Sequence, residues 1–441
     1  MASISPFRAL RYDPAKVTLS KAVTQPYDKI TPEMGETYHA ASPYNLVRII
    51  LGKPTPADRP GADVYTRAAA FFNDWRQQGV LLPDSEPSIY LYVQRFAAPG
   101  GKLDLERRGF IALGRIEDYS ARVVFRHEQT LAKPKADRLN LLRATRAHFG
   151  QIFMLYSDPA GSIDRLLSPA SAPDLETADE YGVSHQLWEI SDRSTIEAVC
   201  TAMQDKKLII ADGHHRYETA LNYRNERRAQ AAAAGSSASA CVEEAPYERV
   251  MMTFVNMDSP GLVILPTHRV LHGLPDFSSS TLRDHARDFF RVEEIDPAFD
   301  AAGAASLLCK AGESGTALLA VAANRAFLLD HPKPNDSALF AGLSGRQREL
   351  DVVQLHKCLL EGVLGLSEES IRNQQNISYI RDADEALSRV RRGAANVAFL
   401  MNPVRMEQVR DIAFAGEVLP QKSTDFYPKL LSGLTIYALE M

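Results

Sequence analysis

Residues 208–221 read Leu-Ile-Ile-Ala-Asp-Gly-His-His-Arg-Tyr-Glu-Thr-Ala-Leu. The three leading apolar residues, two of them β-branched, predict a short buried strand. Asp212-Gly213 has the composition of a turn and ends that strand. Tyr217, Ala220 and Leu221 then recur at the spacing of one helical face. The segment therefore predicts a strand, a tight turn and a helix in immediate succession.

This turn places polar residues where a helix begins. The first N–H groups of a helix have no partner inside it, and the helix dipole puts partial positive charge there. Gly213, His214, His215 and Arg216 occupy this position, directly after Asp212. A guanidinium adds several donors in one plane. We therefore predict that the turn binds phosphate.

Two other interpretations of the turn stay open. It could be a polar helix start whose side chains are solvated, or it could be a metal site. The histidines have none of the spacings HxH, HxxxH or HExxH that bring two imidazoles to one ion.

Composition sets the broad class. The chain has 441 residues, 45% of them hydrophobic, which predicts two or three domains. A net charge of −5 makes nucleic acid an unlikely partner. The four cysteines contain no CxxC pair, so we expect reduced thiols in a cytoplasmic protein. The sequence shows no signal-peptide pattern and no apolar run long enough to predict a membrane span.

Predicted helices and strands alternate irregularly, which favours a mixed α+β fold over a doubly wound sheet. The predicted regions are 1–160, 161–275, 276–345 (a small α+β unit) and 346–441. The predicted strands include 43–50, 88–96, 107–116, 152–156, 184–190, 247–256, 262–271, 317–322, 326–329, 377–380, 397–401 and 430–439, the last as one strand or two. The predicted helices include 63–78, 135–146, 194–205, 350–364 and 383–391. A hairpin turn is expected at 99–101, a flexible loop in the second half of 229–240, and a polar loop at 418–429.

Two carboxylates and an imidazole outside the turn are candidates for acid–base catalysis or for binding a cation. His127 and Glu128 stand side by side before a basic helix that carries Arg138. A carboxylate beside an imidazole can act as a general base or hold a cation. Asp28 follows Pro26-Tyr27 just before a predicted helix, and could be an acid or a Mg²⁺ ligand. The competing interpretations are a solvated loop with a basic face for the first group and a structural turn for Asp28.

A second phosphate-binding candidate lies near the end of the chain. Lys422, Ser423 and Thr424 lie between Pro420 and Pro428, which stiffen the loop. The loop is not a Walker A motif, because no GxxxxGK[ST] occurs in the sequence. An ordinary surface turn is the alternative.

His268 interrupts an apolar strand and could face the same pocket, or it could belong to a polar patch at the strand end. No GxGxxG or GxSxG motif occurs either.

Six segments of the sequence resemble, in order, a widespread bacterial and archaeal family known as domain of unknown function 1015 (DUF1015). They are Pro26–Asp28, Pro43–Arg48, His127–Thr130 with Arg138, Ala211–Tyr217, Leu265–Arg269 and Leu419–Thr424. The central turn alone is also similar to the nucleotide-phosphate loop of the ParB/sulfiredoxin superfamily, which includes partition CTPases, sulfiredoxins and free-serine kinases. That resemblance implies a ParB/sulfiredoxin-like mixed-sheet core, enlarged by insertions, with Gly213, His215 and Arg216 on phosphate.

The sequence and its resemblances together predict a phosphotransferase that uses ATP or ADP with Mg²⁺. Its acceptor would be a small hydroxyl metabolite such as free serine, and phosphate removal is a close variant. The helix start would hold the phosphates, while Lys422 and Arg138 neutralise the transferring group. Asp28 or Glu128 would take the hydroxyl proton or hold Mg²⁺, and His127 and Asp212 are further catalytic candidates.

The alternative is a nucleotide-binding switch of the ParB type without metabolic turnover. A nuclease-like activity is disfavoured by the acidic composition. We expect a nucleotide and a small molecule as partners, with no membrane, and homo-oligomer formation stays open.

Overall fold

The computed structural model describes residues 1–98, 104–128, 132–169, 171–234, 244–334 and 338–440, with the backbone alone at 132–134. The chain divides into two compact units. Unit 1 contains Met1–Arg126, Thr130–Leu262 and Pro428–Met441, and unit 2 contains His127–Gln129 and Val263–Tyr427. These units differ from the four regions predicted from the sequence.

Unit 1 is built on a mixed sheet. Its strands are β1 (Ile4–Ser5), β2 (Leu10–Tyr12), β3 (Leu81–Pro83), β4 (Ile89–Ala97), β5 (Asp104–Arg115), β6 (Val124–Phe125), β7 (Ala147–His148), β8 (Ile152–Tyr156), β9 (Leu175–Ala178), β10 (Ser184–Ile190), β11 (Leu208–Asp212), β12 (Arg249–Asn256) and, near the end of the chain, a strand at Tyr437–Ala438. Nine of the described strands form one sheet in the order β6-β11-β8-β12-β5-β4-β10-β9, with β1 paired to β5. The β6–β11 and β8–β12 pairs are parallel and the others antiparallel. Strands β2 and β3 pair separately, as do β7 and Tyr437–Ala438.

The helices of unit 1 are α1 (Pro32–Ala41), α2 (Val47–Ile50), α3 (Val64–Gln77), α4 (Ala132–Thr145), α5 (Ser162–Leu166), α6 (Arg193–Met203) and α7 (His214–Ala233). One face of the large sheet is apolar and packs with side chains of α6 and α7, among them Val199 and Tyr217. The opposite face is also buried but carries polar groups, including Gln94, Arg107 and His185. Buried polar side chains need partners, so this second face is the one that calls for a functional explanation.

Two side chains of α7 fix the helix to the end of β5. The Tyr217 hydroxyl donates to the Glu117 carbonyl (2.7 Å) and accepts the Glu117 N–H (2.9 Å). Two turns further along α7, the Arg224 guanidinium donates to the Ile116 carbonyl and to Asp118 Oδ2 (2.9 Å). Both side chains are fully buried. The position of the helix start therefore depends on contacts made along the first three turns of α7.

Unit 2 contains an antiparallel sheet with helices. Its strands are β13 (Val263–Leu265), β14 (His268–Leu271), β15 (Arg291–Ile295), β16 (Ala317–Val321), β17 (Ala326–Asp330), β18 (Ile377–Ile380), β19 (Val397–Met401) and β20 (Asp425–Tyr427), so that Tyr437–Ala438 becomes β21. Its helices are α8 (Ser279–Ala286), α9 (Ala301–Gly312), α10 (Gly345–Arg348), α11 (Asp351–Gln354), α12 (Glu368–Arg372), α13 (Ala383–Arg391) and α14 (Met406–Phe414), with a π-helix at Leu355–Val363. Six strands form the order β15-β17-β16-β19-β14-β18, and β13 pairs with β20. The sheet joins strands from three of the predicted regions.

The α+β class is confirmed, and most of the predicted strands and helices are present. Residues 43–50 were the clearest error, because their β-branched residues predict a strand. The side chain of Asn45 instead accepts the Val47 N–H (2.9 Å) and begins the short helix α2. This local hydrogen bond gives the backbone an alternative to strand pairing.

Two other predicted strands are shorter than expected. Residues 262–271 form two strands, β13 and β14, which belong to different sheets. Pro266 lies between them and cannot donate to a strand ladder. Within 430–439 only Tyr437–Ala438 is a strand. The predicted hairpin turn at 99–101 and most of the predicted loop within 229–240 lie outside the described residues.

Among the described residues, no helix combines the length and the apolar character that a membrane crossing requires. The described cysteines, Cys200, Cys309 and Cys358, form no disulfide.

The contacts of Tyr217 predict a specific loss of stability. Tyr217→Phe removes a fully buried hydroxyl and leaves the N–H and C=O of Glu117 without it. We expect the free energy of unfolding in urea to fall by about 1–3 kcal/mol. Tyr181→Phe makes the same chemical change on a side chain that is 58% exposed, and should change stability by less than about 0.5 kcal/mol. Equal effects of the two substitutions would contradict the role given to Tyr217.

Candidate functional site

A β-bulge at the end of β11 sets the direction of the Asp212 side chain. Ile210 pairs with Met154 but Asp212 pairs with Phe153, so Ala211 is an extra residue in the strand. Because side chains alternate between faces, the extra residue moves Asp212 from the apolar face to the polar face of the sheet. A regular strand would point this carboxylate toward the apolar core.

Helix α7 begins directly after the bulge with a left-handed glycine. Gly213 has φ +92° and, having no side chain, supplies no cap to the helix. Its N–H donates to Asp212 Oδ1 (2.7 Å). A Cβ at Gly213 would lie 3.0 Å from Nε of Arg216, whose Nη1 donates to the Gln151 carbonyl. Glycine is therefore needed both for the backbone conformation and for the close approach of the guanidinium.

Asp212 lies among cations. Its Oδ2 is 3.2 Å from Nζ of Lys429, and its Oδ1 is 3.9 Å from Nη2 of Arg216. Burial by itself would raise the pKa of Asp212, but Lys429, Arg216 and Lys29 outweigh it and hold that pKa well below its usual value. The carboxylate is therefore ionised at neutral pH.

Tyr27 joins this cluster to two more of the predicted residues. Burial raises the pKa of Tyr27 to about 12; Asp28 and Asp212 add to the rise, and Arg138 and Arg216 oppose it. The Arg138 guanidinium lies over the Tyr27 ring at 4.2 Å, and its Nη1 donates to the Ile50 carbonyl (2.6 Å). Unit 1 thus brings together Asp28, Arg138, Asp212 and Arg216, of which Asp28 is exposed.

A cleft with a volume of about 70 Å³ adjoins Arg216 and Arg138. Its wall is otherwise largely apolar and includes Leu141, Leu142, Phe149, Ile152 and Val250. Thr219 also lines the cleft, and its buried hydroxyl has no hydrogen-bond partner among the described residues. A few polar groups in an apolar concave surface are typical of small-molecule sites.

The two histidines of the turn occupy the first positions of α7, where His214 is buried and His215 is half-buried. Within the described part of the chain, no group of three or more His, Cys, Asp or Glu side chains is arranged to hold a metal ion. The metal interpretation of the turn therefore gains no support from the geometry of the described residues.

Unit 2 brings together the second set of predicted residues around the loop 419–425. The Glu128 carboxylate accepts the backbone N–H of Lys422, and His127 Nε2 lies 2.7 Å from Thr424 Oγ1. The Ser423 hydroxyl donates to the Pro420 carbonyl (2.5 Å). Lys422 itself is exposed and has the left-handed φ of +57°. These contacts fix the backbone of the loop in a conformation that a lysine seldom adopts.

His268 of β14 directly precedes Arg269, a buried cation that contacts the loop 419–425. Burial lowers the pKa of His268 to about 4, and its Nδ1 accepts the Met401 N–H (3.4 Å). The neighbouring Arg269 is fully buried and donates to the Lys422 carbonyl (3.2 Å). His268 is therefore neutral at physiological pH and bonded to the backbone of β19.

Sequence reasoning missed several residues of the Asp212 cluster, above all Lys429, Lys29 and Arg107. The sequence predicts Lys429 only as the last residue of the polar loop 418–429, although a lysine directly before the apolar pair Leu430-Leu431 can indicate a cation in a buried segment. Arg107 gives a weaker signal, because Arg108 and Gly109 separate it from the apolar run that begins at Phe110.

Comparisons with known proteins give one family and several distant structural likenesses. No curated protein matches the chain. The chain is similar to a free serine kinase in complex with AMP (13% identity, covering 71% of this chain and 89% of that one, TM-score 0.34). It is also similar to a C-terminally truncated SbnI from Staphylococcus aureus (10%, 74% and 87%, TM-score 0.35) and to a conserved hypothetical protein from Pyrococcus furiosus (12%, 69% and 87%, TM-score 0.33).

At these identities and TM-scores the structural likenesses carry no argument about function. The family match is of a different kind, because it rests on a model of the family's sequences. The model described as "Protein of unknown function (DUF1015)" matches residues 4–353, and the chain therefore belongs to the DUF1015 family.

Proposed function

We propose that this protein is a nucleotide-dependent phosphotransferase whose acceptor is a small hydroxyl metabolite, with free serine as the first candidate. The observation that carries the proposal is the cluster of cations at the start of α7. Arg138 and Arg216 act on the pKa of Tyr27, and Lys429, Arg216 and Lys29 lower the pKa of Asp212. Arg138 also pairs with Asp137. Guanidinium groups and a helix start both bind phosphate oxygens well, so a phosphate would complete this cluster.

The geometry suggests how the parts would act. The start of α7 and the Arg216 guanidinium would bind phosphate oxygens, and Arg138 would neutralise the transferring group. Such positioning and charge neutralisation supply most of the catalysis in phosphoryl transfer. The cleft beside Arg216 would receive the rest of the ligand.

Asp28 is the carboxylate that we propose for Mg²⁺ or for the acceptor's proton. It is exposed in the short turn Tyr27–Lys29. Asp28 and Arg216 both act on the pKa of Tyr27, so they lie within electrostatic range of one side chain. Mg²⁺ commonly takes one or two carboxylates together with substrate phosphates and water, so a single protein ligand fits its chemistry. Glu128 is a weaker candidate, since its carboxylate accepts the Lys422 N–H. Phosphate binding by Lys422, Ser423 and Thr424 remains a separate proposal for unit 2.

A nucleotide-binding switch without turnover would use the same cluster, so turnover decides between the two functions. We expect the protein, incubated with ATP or ADP, Mg²⁺ and serine, to form a phosphomonoester that phosphorus NMR detects. Omitting serine should remove that signal, and a panel of other small alcohols and sugars extends the search. Tight nucleotide binding without acceptor-dependent transfer would instead favour the switch.

Arg216 provides the test of the phosphate site itself. Arg216→Ala should raise the Kd for ADP by about tenfold to more than a hundredfold, because a charged hydrogen bond contributes about 1.5–3 kcal/mol. Isothermal titration calorimetry measures this affinity. Arg227→Ala, on a later turn of the same helix, is the matched control and should leave the Kd within about twofold. Unchanged ADP binding in the Arg216 variant would refute phosphate binding at this turn.

A further inference from the structure

Lys429 has the features of a positioned cation. Its side chain is only 9% exposed, although lysine is the residue that most often reaches into solvent. Its Nζ lies 3.2 Å from Asp212 Oδ2, at the strand end where α7 begins. The residue belongs to Pro428–Met441, the segment that completes unit 1.

Buried side chains of β4 and β5 hold the backbone at this lysine. Gln94 Nε2 donates to the Lys429 carbonyl (2.9 Å), and Arg107 Nη2 donates to the Pro428 carbonyl (2.5 Å). Tyr92 adds a longer contact, accepting the Leu431 N–H at 3.5 Å. The backbone on both sides of Lys429 is therefore attached to the polar face of the sheet.

Arg107 itself is held in a fixed geometry. Its Nε donates to Gln94 Oε1 (3.0 Å), and its guanidinium lies over the ring of Phe153 at 4.7 Å. Phe153 is the residue that pairs with Asp212 across the bulge. Arg107 thus contacts both the backbone next to Lys429 and the β8 residue that pairs with Asp212. A guanidinium this deeply buried costs stability, and its contacts serve to place the lysine.

We propose that Lys429 is a phosphate-binding residue of the site, contacting the phosphoryl group directly. The inference rests on the proposed function and adds a ligand-binding group to it. An ammonium has three N–H donors, so a lysine that is bonded to a carboxylate can also donate to a phosphate oxygen. Asp212 would hold the ammonium in place, and Arg216 and the start of α7 would contact the same phosphate. The ligand class is therefore a phosphate ester or anhydride, for which inorganic pyrophosphate is the simplest probe.

Calorimetric titration of the full-length protein with pyrophosphate and with ADP tests this role. Lys429→Met keeps the length and apolar stem of the side chain and removes the charge. We expect its Kd for both ligands to rise at least tenfold, the loss typical of a charged hydrogen bond. Lys21→Met, at an exposed lysine of unit 1, is the matched control and should leave both values within about twofold.

The outcomes separate the two proposals. If the unaltered protein binds pyrophosphate and ADP, and Lys429→Met binds them equally well, Lys429 is not a ligand and the proposed function stands. If the unaltered protein binds neither, the proposed function fails and the role of Lys429 fails with it.

A second measurement covers a variant that does not fold. The ammonium resonances of ¹⁵N-labelled lysines are recorded in the unaltered protein, and Lys429→Arg assigns the signal of interest. Pyrophosphate should shift the Lys429 resonance with the same midpoint as the calorimetric titration, while the Lys21 resonance stays in place. A Lys429 resonance that does not move at saturating pyrophosphate would overturn the inference.

Discussion

The ion pair between Asp212 and Lys429 is the interaction on which the site depends. A carboxylate at the end of a buried strand is unfavourable unless cations compensate for its lost hydration. The bulge at Ala211 turns the carboxylate to the polar face of the sheet. There it pairs with Lys429, which comes from a distant part of the chain. Arg216 and Lys29 also act on this carboxylate and help to hold its pKa low. The fold thus gathers cations around one carboxylate at the start of α7.

Local patterns predicted the central part of this site, because the strand, the turn and the helix depend on neighbouring residues. Gly213 and Arg216 lie within four residues of each other, and their relation follows from the geometry of a helix start. The bulge could not be predicted, since it is defined only by the partner strand β8. Lys429 was missed for the same reason, because its partner Asp212 is distant in sequence. Residues 43–50 show the opposite failure, in which one side-chain hydrogen bond from Asn45 outweighed β propensity.

The second set of predicted residues illustrates a limit of reading chemistry from residue type. Glu128 beside His127 suggests acid–base catalysis, yet the structure shows its carboxylate bound to the backbone N–H of Lys422. Arg269 binds the carbonyl of the same residue, and His127 contacts Thr424. In unit 2 these groups stabilise a left-handed lysine at the surface of the loop. Their shared effect is to restrict the backbone of the loop at Lys422.

The division of unit 1 into separated segments has a consequence for biosynthesis. Asp212, Gly213 and Arg216 are translated before the main segment of unit 2, Val263–Tyr427, whereas Lys429 is translated after it. A nascent chain that has reached only residues 263–427 already contains the carboxylate and the helix start but lacks the buried ammonium. Gln94 and Arg107 then also lack the carbonyl groups of Pro428 and Lys429 that they bind in the complete protein. Formation of the Asp212–Lys429 ion pair is thereby coupled to synthesis of the whole of unit 2, so an interrupted translation product lacks this pair.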